Sequence, residues 1–283
     1  MRLFKVYIHL TKDRNTYKLT AALLITLMFV QIYDLVLSPL MGVPFSGALY
    51  QPVADACDAV RVYPAVVRSG SVQAYWVAIN AMFVSAAGYV LLLAWADYCL
   101  RNPGYFSAAP FRVLRHHSVV LYWLLVIPST DFFISIFQCD SRGYHFVDKS
   151  LQCWQGMHAF YCALYSVGLL LFLVGACLVS LLFNESRPYH LDALTRLDIN
   201  QEIYITLYRV ILTAVSHYTT TSNFQWITLA LHLLMSAHFL KDYYKYLHYY
   251  FAEISTLFGA CCLGYLWVTV NAILAQALQG MAY

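Results

Sequence analysis

The segment FQCDSRGYHFVDKSLQCWQGMHAF, residues 137–160, brings two cysteines and two histidines together between long apolar runs. Zinc is bound by thiolates and imidazoles in tetrahedral geometry, so Cys139, His145, Cys153 and His158 could in principle supply four ligands. Their spacing argues against zinc, because the closely spaced Cys–Cys and His–His pairs of known zinc motifs are missing. We therefore predict no metal site here and no bound cofactor, although His217, His232 and His238 leave a cofactor as a weaker alternative.

A disulfide between Cys139 and Cys153 is the favoured interpretation of the same segment. It would close a loop between the ends of two adjacent antiparallel helices, which lie close together, on a side of the membrane where cysteines oxidise. For a loop of this length the chain-entropy model gives about 3 kcal/mol of stabilisation. Unpaired packing cysteines are the second alternative. Cys57 would be an odd external cysteine that is either free or in competition for one of the two partners.

Two charged residues, Asp131 and Arg209, lie deep within apolar runs that we expect to run in the same direction. An isolated charge inside a membrane span costs about 2.5–3.5 kcal/mol on insertion scales, and a pair with further hydrogen bonds costs less. The sequence therefore predicts an ion pair between Asp131 and Arg209. A structural clasp is favoured, and a charge on a permeation or proton route is the alternative.

The remaining polar candidates inside apolar runs are weaker. Asp34 and Asp97 lie near helix ends, where a side chain can reach headgroups or water, and Glu253 also lies near an end. The full set is Asp34, Asn80, Asp97, Glu253 and Asn271. If the protein conducts a solute, several of these should line one path with Asp131 and Arg209.

The composition places all these residues in a membrane protein. The 283-residue chain is 61% hydrophobic and only 11% charged, whereas soluble domains carry about 25% charged residues. The net charge is +3 and the basic residues are dispersed, so nucleic acid is not an expected partner. The expected partners are the lipid bilayer and other membrane proteins.

The apolar runs predict an all-α, polytopic transmembrane helix bundle of about seven spans, formed by residues 1–283 as a single domain. Residues 203–216 are short and contain Arg209, so this run could span or re-enter. With seven spans, twelve basic residues lie on the side of the N-terminus and four on the other, which predicts a cytoplasmic N-terminus. The predicted spans are 19–37, 72–100, 118–138, 157–183, 203–216, 224–240 and 251–279.

The N-terminal flank does not have the form of a cleaved signal peptide, because its first apolar run follows five basic residues and lacks a convincing cleavage site. A mitochondrial presequence is the weaker alternative. We expect the plasma or ciliary membrane as the location, with an organelle membrane as the second option.

Three motifs resemble a known family. PSTDFFISIFQC, CWQGMH and FNESRPYHLDALTRLDINQEIYITLYRVILTAV, which together extend over about 128–215, are similar to the membrane region of the tiny macrocysts protein B family. The resemblance implies an N-terminal polytopic region with this cysteine, Cys-Trp and histidine pattern. Many family members continue into a cytoplasmic PAS domain and other signalling regions. This sequence contains no PAS domain, so we expect either a fragment or a small relative.

No catalytic motif is present: Gly-x-Ser-x-Gly, His-Glu-x-x-His, a phosphate-binding glycine loop and a paired-carboxylate site are all missing. We therefore predict that the protein is not an enzyme. The favoured function is a non-catalytic membrane module, either the anchoring or sensory part of a signalling protein or an accessory subunit of a membrane assembly. The alternative is a small transporter or channel-like protein, which would need a continuous polar path.

Overall fold

The computed structural model describes residues 18–37, 50–102, 109–182, 200–218, 222–245 and 251–281, and these residues are almost entirely helical. Two isolated β-bridges occur in the segment between the third and fourth long apolar runs. The helices are α1 (Lys18–Leu37), α2 (Tyr50–Arg61), α3 (Tyr63–Arg68), α4 (Val72–Arg101), α5 (Ala109–Val119), a π-helical turn (Val120–Leu124), α6 (Val126–Ser135), α7 (Gly156–Leu182), α8 (Asn200–Ser216), α9 (Ser222–Lys245) and α10 (Ala252–Met281).

Four of these helices, α1, α4, α7 and α10, are long and apolar enough to cross a membrane. A fifth span results if α5, the π-turn and α6 are counted as one leg, although that leg bends by 68°. The predicted all-α membrane bundle is confirmed at this level. Helix α8 is a shorter apolar helix, and α9 is not among the candidate spans.

Contacts between helix ends define the direction of each leg. Lys18 at the start of α1 binds Glu253 at the start of α10 over 3.0 Å, so these two helices run in parallel. Tyr165 donates to Asn80, and Gly168 packs against Phe83, so α4 and α7 are also parallel to each other. Consecutive legs alternate in direction through the bundle. We call the end that carries residues 136–155 the hairpin end.

The bent leg lies between two apolar clusters. Tyr122, Phe132 and Phe133 pack into a cluster with α4, α5 and α7. Trp123 and Ile127, from the same leg, pack into a second cluster with α1, α8, α9 and α10. Every residue of α6 is buried, so this leg joins the two halves of the bundle.

The bend has a covalent cause and leaves backbone carbonyls open. Pro128 has no N–H and cannot bond to the carbonyl of Leu124 four residues earlier. The preceding turn is π-helical, with the Leu125 amide donating to Val120 O over 3.0 Å. Such a turn and a proline are both recognised causes of sharp helix kinks. The carbonyls at the bend therefore need partners from other helices.

Helices α2 and α3 form a short helical hairpin within the segment that the sequence predicts as an ordered external loop. Val62 joins them with a φ of 70°, which is strained for a β-branched residue. Arg68 on α3 forms ion pairs with Asp55 and Asp58 on α2. The hairpin packs against α1 and α6 and carries Arg61, at the end of α2, to a fully buried position.

Two glycines of α7 allow close contact with aromatic rings. A Cβ atom on Gly168 would lie 2.7 Å from Phe83 and 3.0 Å from Phe133, and one on Gly175 would overlap the hydroxyl of Tyr122. Tyr122 is buried in the bent leg. Gly175 is thus required where α7 crosses that leg, whereas a Cβ on Gly88 in α4 would meet nothing within 4 Å.

We expect Gly175→Ala to lower stability by about 1–3 kcal/mol, because the added methyl group overpacks a rigid aromatic contact. Gly88→Ala is the matched control: it gains the same helix propensity without a clash and should keep or raise stability. Thermal unfolding in detergent measures both variants. Equal behaviour of the two variants would contradict the proposed contact.

Candidate functional site

A buried cation lies between two carboxylates in the interior of the bundle, on the side of the hairpin end. Arg61 donates from Nε to Asp131 Oδ2 over 2.6 Å and from Nη2 to Asp131 Oδ1 over 2.8 Å. Its Nη1 lies 3.3 Å from Asp34 Oδ2. Both Arg61 and Asp131 have fully buried side chains. Burial opposes the charged guanidinium, but Asp131 and Asp34 outweigh it and raise the pKa of Arg61, so Arg61 stays protonated.

A second polar contact set fills the bend of the central leg. Gln31 of α1 donates to Leu124 O over 2.9 Å, which is the carbonyl released by the proline, and to Val60 O over 3.3 Å. Arg209 of α8 donates to Trp123 O over 3.0 Å and approaches Gln31 Oε1 at 3.5 Å. Buried side chains thus satisfy carbonyls that would otherwise be costly in an apolar interior.

The predicted ion pair between Asp131 and Arg209 is wrong, because each residue has a different partner. Asp131 binds Arg61, and Arg209 donates to the bend carbonyl of Trp123. Arg209 is fully buried, as the sequence indicates, but it lies beside the kink rather than beside the carboxylate. The physical reason is the α2–α3 hairpin, which supplies a nearer cation that forms two parallel hydrogen bonds with the carboxylate.

The charge cluster extends toward the hairpin end through His217, just after α8. His217 Nε2 lies 2.9 Å from Asp131 Oδ1, and both side chains are fully buried. The backbone carbonyl of His217 accepts a hydrogen bond from Gln138 over 2.8 Å, and Gln138 accepts one from the hydroxyl of Tyr63 over 3.2 Å. The Tyr63 ring lies 5.2 Å from the imidazole. These contacts fix the orientation of His217.

A cavity of about 810 Å³ opens above this histidine at the hairpin end. Its lining includes five aromatic rings, and residues 136–155, α2, α3 and the segment that follows α8 all contribute to it. The polar side chains of its lining include Asp58, Arg68, Gln138, Asp140 and His217. Asp34, Asp131 and Arg209 do not line it, so the cavity ends at His217.

The predicted Cys139–Cys153 disulfide is confirmed, with the two Cα atoms 6.2 Å apart. His158 lies beside it and could complete a group of three metal ligands only if both thiols were free. His158 already accepts from the Trp154 amide and contacts Ile136 O, each over 3.0 Å. Cys57 is a free, buried cysteine, and burial with the charge of Asp34 raises its pKa to about 11.

His145 packs the disulfide-closed segment, residues 136–155, onto α4. Its ring stacks against Trp76, its Nδ1 accepts from the Asp148 amide over 3.0 Å, and Nε2 lies 3.4 Å from the Tyr75 hydroxyl. Burial, with a further contribution from His158, lowers the pKa of His145 to about 4. The hairpin is therefore built around a neutral imidazole.

The other sequence candidates separate into one buried and four more exposed residues. Asp34 was expected to reach headgroups or water, but it is buried on Arg61, so that expectation is wrong. Asp97 pairs with Arg101 near the end of α4, as its position suggested. Asn80 donates to Trp76 O and Asn271 donates to Trp267 O, each within its own helix. Glu253 is exposed and forms an ion pair with Lys18.

Sequence reasoning missed three members of the cluster: Arg61, Gln31 and Tyr63. Arg61 had been assigned to an external loop, although its neighbours in AVRVYP, residues 59–64, are apolar and a charge isolated in such a run is a usable signal. Gln31 lies inside a predicted span and carries no charge. Its polar amide within an apolar run is the same signal that singled out Asn80 and Asn271, so it could have been selected in the same way.

Comparison with known proteins identifies no relative. No protein-family model matches the chain, and no curated protein and no solved structure matches it either.

We expect Arg61→Gln to destabilise the protein by about 3–5 kcal/mol, because it leaves two carboxylates buried without their cation. Arg61→Gln with Asp131→Asn should recover part of that loss. Lys18→Gln removes an exposed, solvent-screened ion pair and should change stability little. Thermal unfolding in detergent compares the three variants, and an Arg61→Gln protein as stable as Lys18→Gln would contradict the role of the cluster.

Acidification should lower the local stability of residues 136–155, because His145 then becomes protonated. Because its pKa is lowered in the folded state, the unfolded hairpin binds a proton more readily. Stability is therefore complete above about pH 6.5 and declines as the pH falls toward about 4. The titratable groups facing this ring include His158, Asp148, Lys149 and Tyr75.

Hydrogen exchange of residues 136–155 between neutral and mildly acidic pH measures this effect. His145→Asn keeps an acceptor for the Asp148 amide and should remove much of the pH dependence. An unchanged pH profile in that variant would assign the effect to another group.

Proposed function

We propose that this chain is a non-catalytic, seven-span membrane module with a cytoplasmic N-terminus, which serves as the sensory or anchoring part of a signalling protein or as an accessory subunit. The observation that carries the proposal is that the buried charges are bound by groups of the bundle itself. Arg61 binds Asp131 and Asp34, and Arg209 donates to the bend carbonyl of Trp123. Such an arrangement suits a structural clasp.

The alternating helix directions support the seven-span topology. Helix α9 has 24 residues and is about 36 Å long at 1.5 Å per residue, which is enough to cross a hydrocarbon core. Helix α8 runs parallel to α6, since Arg209 lies at the bend and His217 lies beside Asp131. With all seven legs crossing, basic residues concentrate at the end opposite the hairpin, in accordance with the positive-inside rule.

A transporter or channel-like function is the second candidate, and the bent leg favours it. Broken helices with open carbonyls next to buried charges are common at the substrate sites of transporters. Here the carbonyls of Trp123 and Leu124 are already bound by Arg209 and Gln31. Asn80 and Asn271, which were expected to line a conduit, bind carbonyls of their own helices.

Membership of the tiny macrocysts protein B family, a location in the plasma or ciliary membrane, and partnership with other membrane proteins remain parts of this proposal. The family proposal rests on the three motifs quoted above. The outer cavity and its contact with the charge cluster support a sensory role over a purely anchoring one.

Cysteine labelling with a membrane-impermeant maleimide tests two parts of the proposal, which are the seven-span topology and the exclusion of water from the region around Asp131. In intact cells Gln73→Cys, at the exposed start of α4, should react, and Lys241→Cys, near the end of α9, should react only after permeabilisation. Thr130→Cys, which is buried beside Asp131, should stay unlabelled in both conditions. Wild-type protein controls for the native free cysteines.

Each result decides one part of the proposal. Labelling of Lys241→Cys in intact cells would exclude the seven-span orientation. Labelling of Thr130→Cys from outside, with solute flux in proteoliposomes, would favour the transporter over the module.

A further inference from the structure

We propose that the cavity at the hairpin end binds a small amine that carries an aromatic ring, and that its ammonium group takes the place which the Lys149 ammonium occupies on Asp140 and Phe146. The ring of the ligand would fill the cavity beside this contact. The inference rests on the sensory role proposed above, because it names the class of ligand that the module would receive.

The structure already holds an ammonium group at the cavity wall. Lys149 Nζ donates to Asp140 Oδ2 over 3.1 Å and lies 5.3 Å from the centroid of the Phe146 ring. Both Asp140 and Phe146 line the cavity. A carboxylate beside an aromatic ring favours an ammonium group, because the carboxylate accepts a charge-assisted hydrogen bond and the ring face attracts cations. The Lys149 contact therefore indicates which chemical group this part of the wall binds.

The groups that form this contact are accessible to a ligand. The exposed fraction of the side chain is 22% for Asp140 and 57% for Lys149, and Phe146 is 43% exposed. An exposed ion pair contributes little to stability, and lysine has a flexible four-carbon chain. A ligand can therefore displace the Lys149 ammonium at low cost.

The carboxylate of Asp140 is held in place for such a contact. Its Oδ1 accepts from the backbone amides of Arg142 and Tyr144, each over 2.9 Å. The Tyr144 amide, together with Lys149 and the Arg142 amide, lowers the pKa of Asp140, so this carboxylate is ionised at neutral pH. A charged group that is already oriented loses little conformational freedom when a ligand binds.

The rest of the cavity fits the aromatic ring of the ligand. Its volume of about 810 Å³ lies within the range of roughly 300–1,000 Å³ that is typical of small-molecule sites. Aromatic rings attract one another both in stacked and in edge-to-face arrangements. Trp154 and Tyr218 are 62% and 51% exposed, so a bound ring would cover part of their apolar surface. The aromatic residues of the lining are Tyr63, Phe137, Phe146, Trp154 and Tyr218.

The charges of the wall favour a cation over an anionic or a neutral ligand. The described lining residues include two carboxylates, Asp58 and Asp140, and one guanidinium, Arg68. Arg68 is already paired with Asp55 and Asp58, so an anion would compete with both of them. A neutral ligand would gain no ionic contact with Asp140. An ammonium group meets a carboxylate whose present partner is exposed and replaceable.

The test uses three fluorinated naphthalene probes that carry an ethylammonium, an ethanol or an acetate side chain, with the full chain in nanodiscs of zwitterionic lipid. Empty nanodiscs give the background, and fluorine NMR titration measures saturable binding. We expect the ammonium probe to bind about three- to tenfold more tightly than the alcohol, because only the ammonium group forms an ion pair with Asp140. The acetate probe should bind more weakly than the alcohol.

Two variants locate the ammonium group. Asp140→Asn keeps a side-chain oxygen for the amides of Arg142 and Tyr144 but removes the charge, so the affinity for the ammonium probe should fall to that for the alcohol. Lys149→Met removes the competing ammonium of the chain itself. The ammonium probe should then bind about two- to fivefold more tightly than to the wild type, with the alcohol unchanged.

Matched controls separate this contact from an effect of net charge. Asp97→Asn removes a carboxylate at the opposite end of α4 and should leave all three affinities unchanged. Arg142→Gln removes an exposed positive charge from the same segment but leaves the Lys149 ammonium on Asp140, so its effect should be smaller than that of Lys149→Met. Thermal unfolding verifies that each variant is folded.

Four results would overturn the inference: no saturable binding, an alcohol or acetate probe that binds as tightly as the ammonium probe, unchanged binding in Asp140→Asn, or unchanged binding in Lys149→Met. None of these results alters the cysteine-labelling test, so failure of the ligand assignment remains distinguishable from failure of the membrane-module proposal.

Discussion

The guanidinium of Arg61 lies between Asp131 and Asp34 without exposure to solvent, and the arrangement of the hairpin half of the bundle depends on it. Charges in an apolar interior are tolerated only when they are paired and their remaining hydrogen bonds are satisfied. Arg61 meets that condition with three contacts from two helices. This requirement brings the end of α2 into the bundle and fixes α1 against α6, although α2 is too short to cross a membrane.

The bend of the central leg poses a related problem on the backbone. Pro128 and the π-helical turn release carbonyls at a depth where water is not an expected partner. Gln31 and Arg209 supply the donors. The bend therefore helps to join the two apolar clusters, and its polar partners come from α1 and α8. The bent helix and the buried polar side chains depend on each other. Without the side chains the carbonyls would lack donors, and without the bend the side chains would lack acceptors.

At the hairpin end, covalent and polar constraints shape the surface of the bundle. The Cys139–Cys153 disulfide closes residues 136–155 into a compact segment, and His145 and His158 attach it to α4 and to the end of the bent leg. This rigid segment forms one wall of the cavity, and α3 forms another. His217 lies where the cavity ends and the charge cluster begins, and it contacts both.

The sequence by itself determined the features that depend on local composition and short-range spacing. Apolar runs specified an all-helical membrane protein, and two cysteines flanking one short polar segment specified the disulfide. Tertiary structure decided the rest: the partner of Asp131, the burial of Asp34 and the role of Arg209 at the bend. Hydropathy measures how apolar a segment is, but an ion pair depends on which cation approaches a carboxylate in space. Arg61 is 70 positions from Asp131 in the chain, and only the packing of the α2–α3 hairpin against the bent leg brings them together.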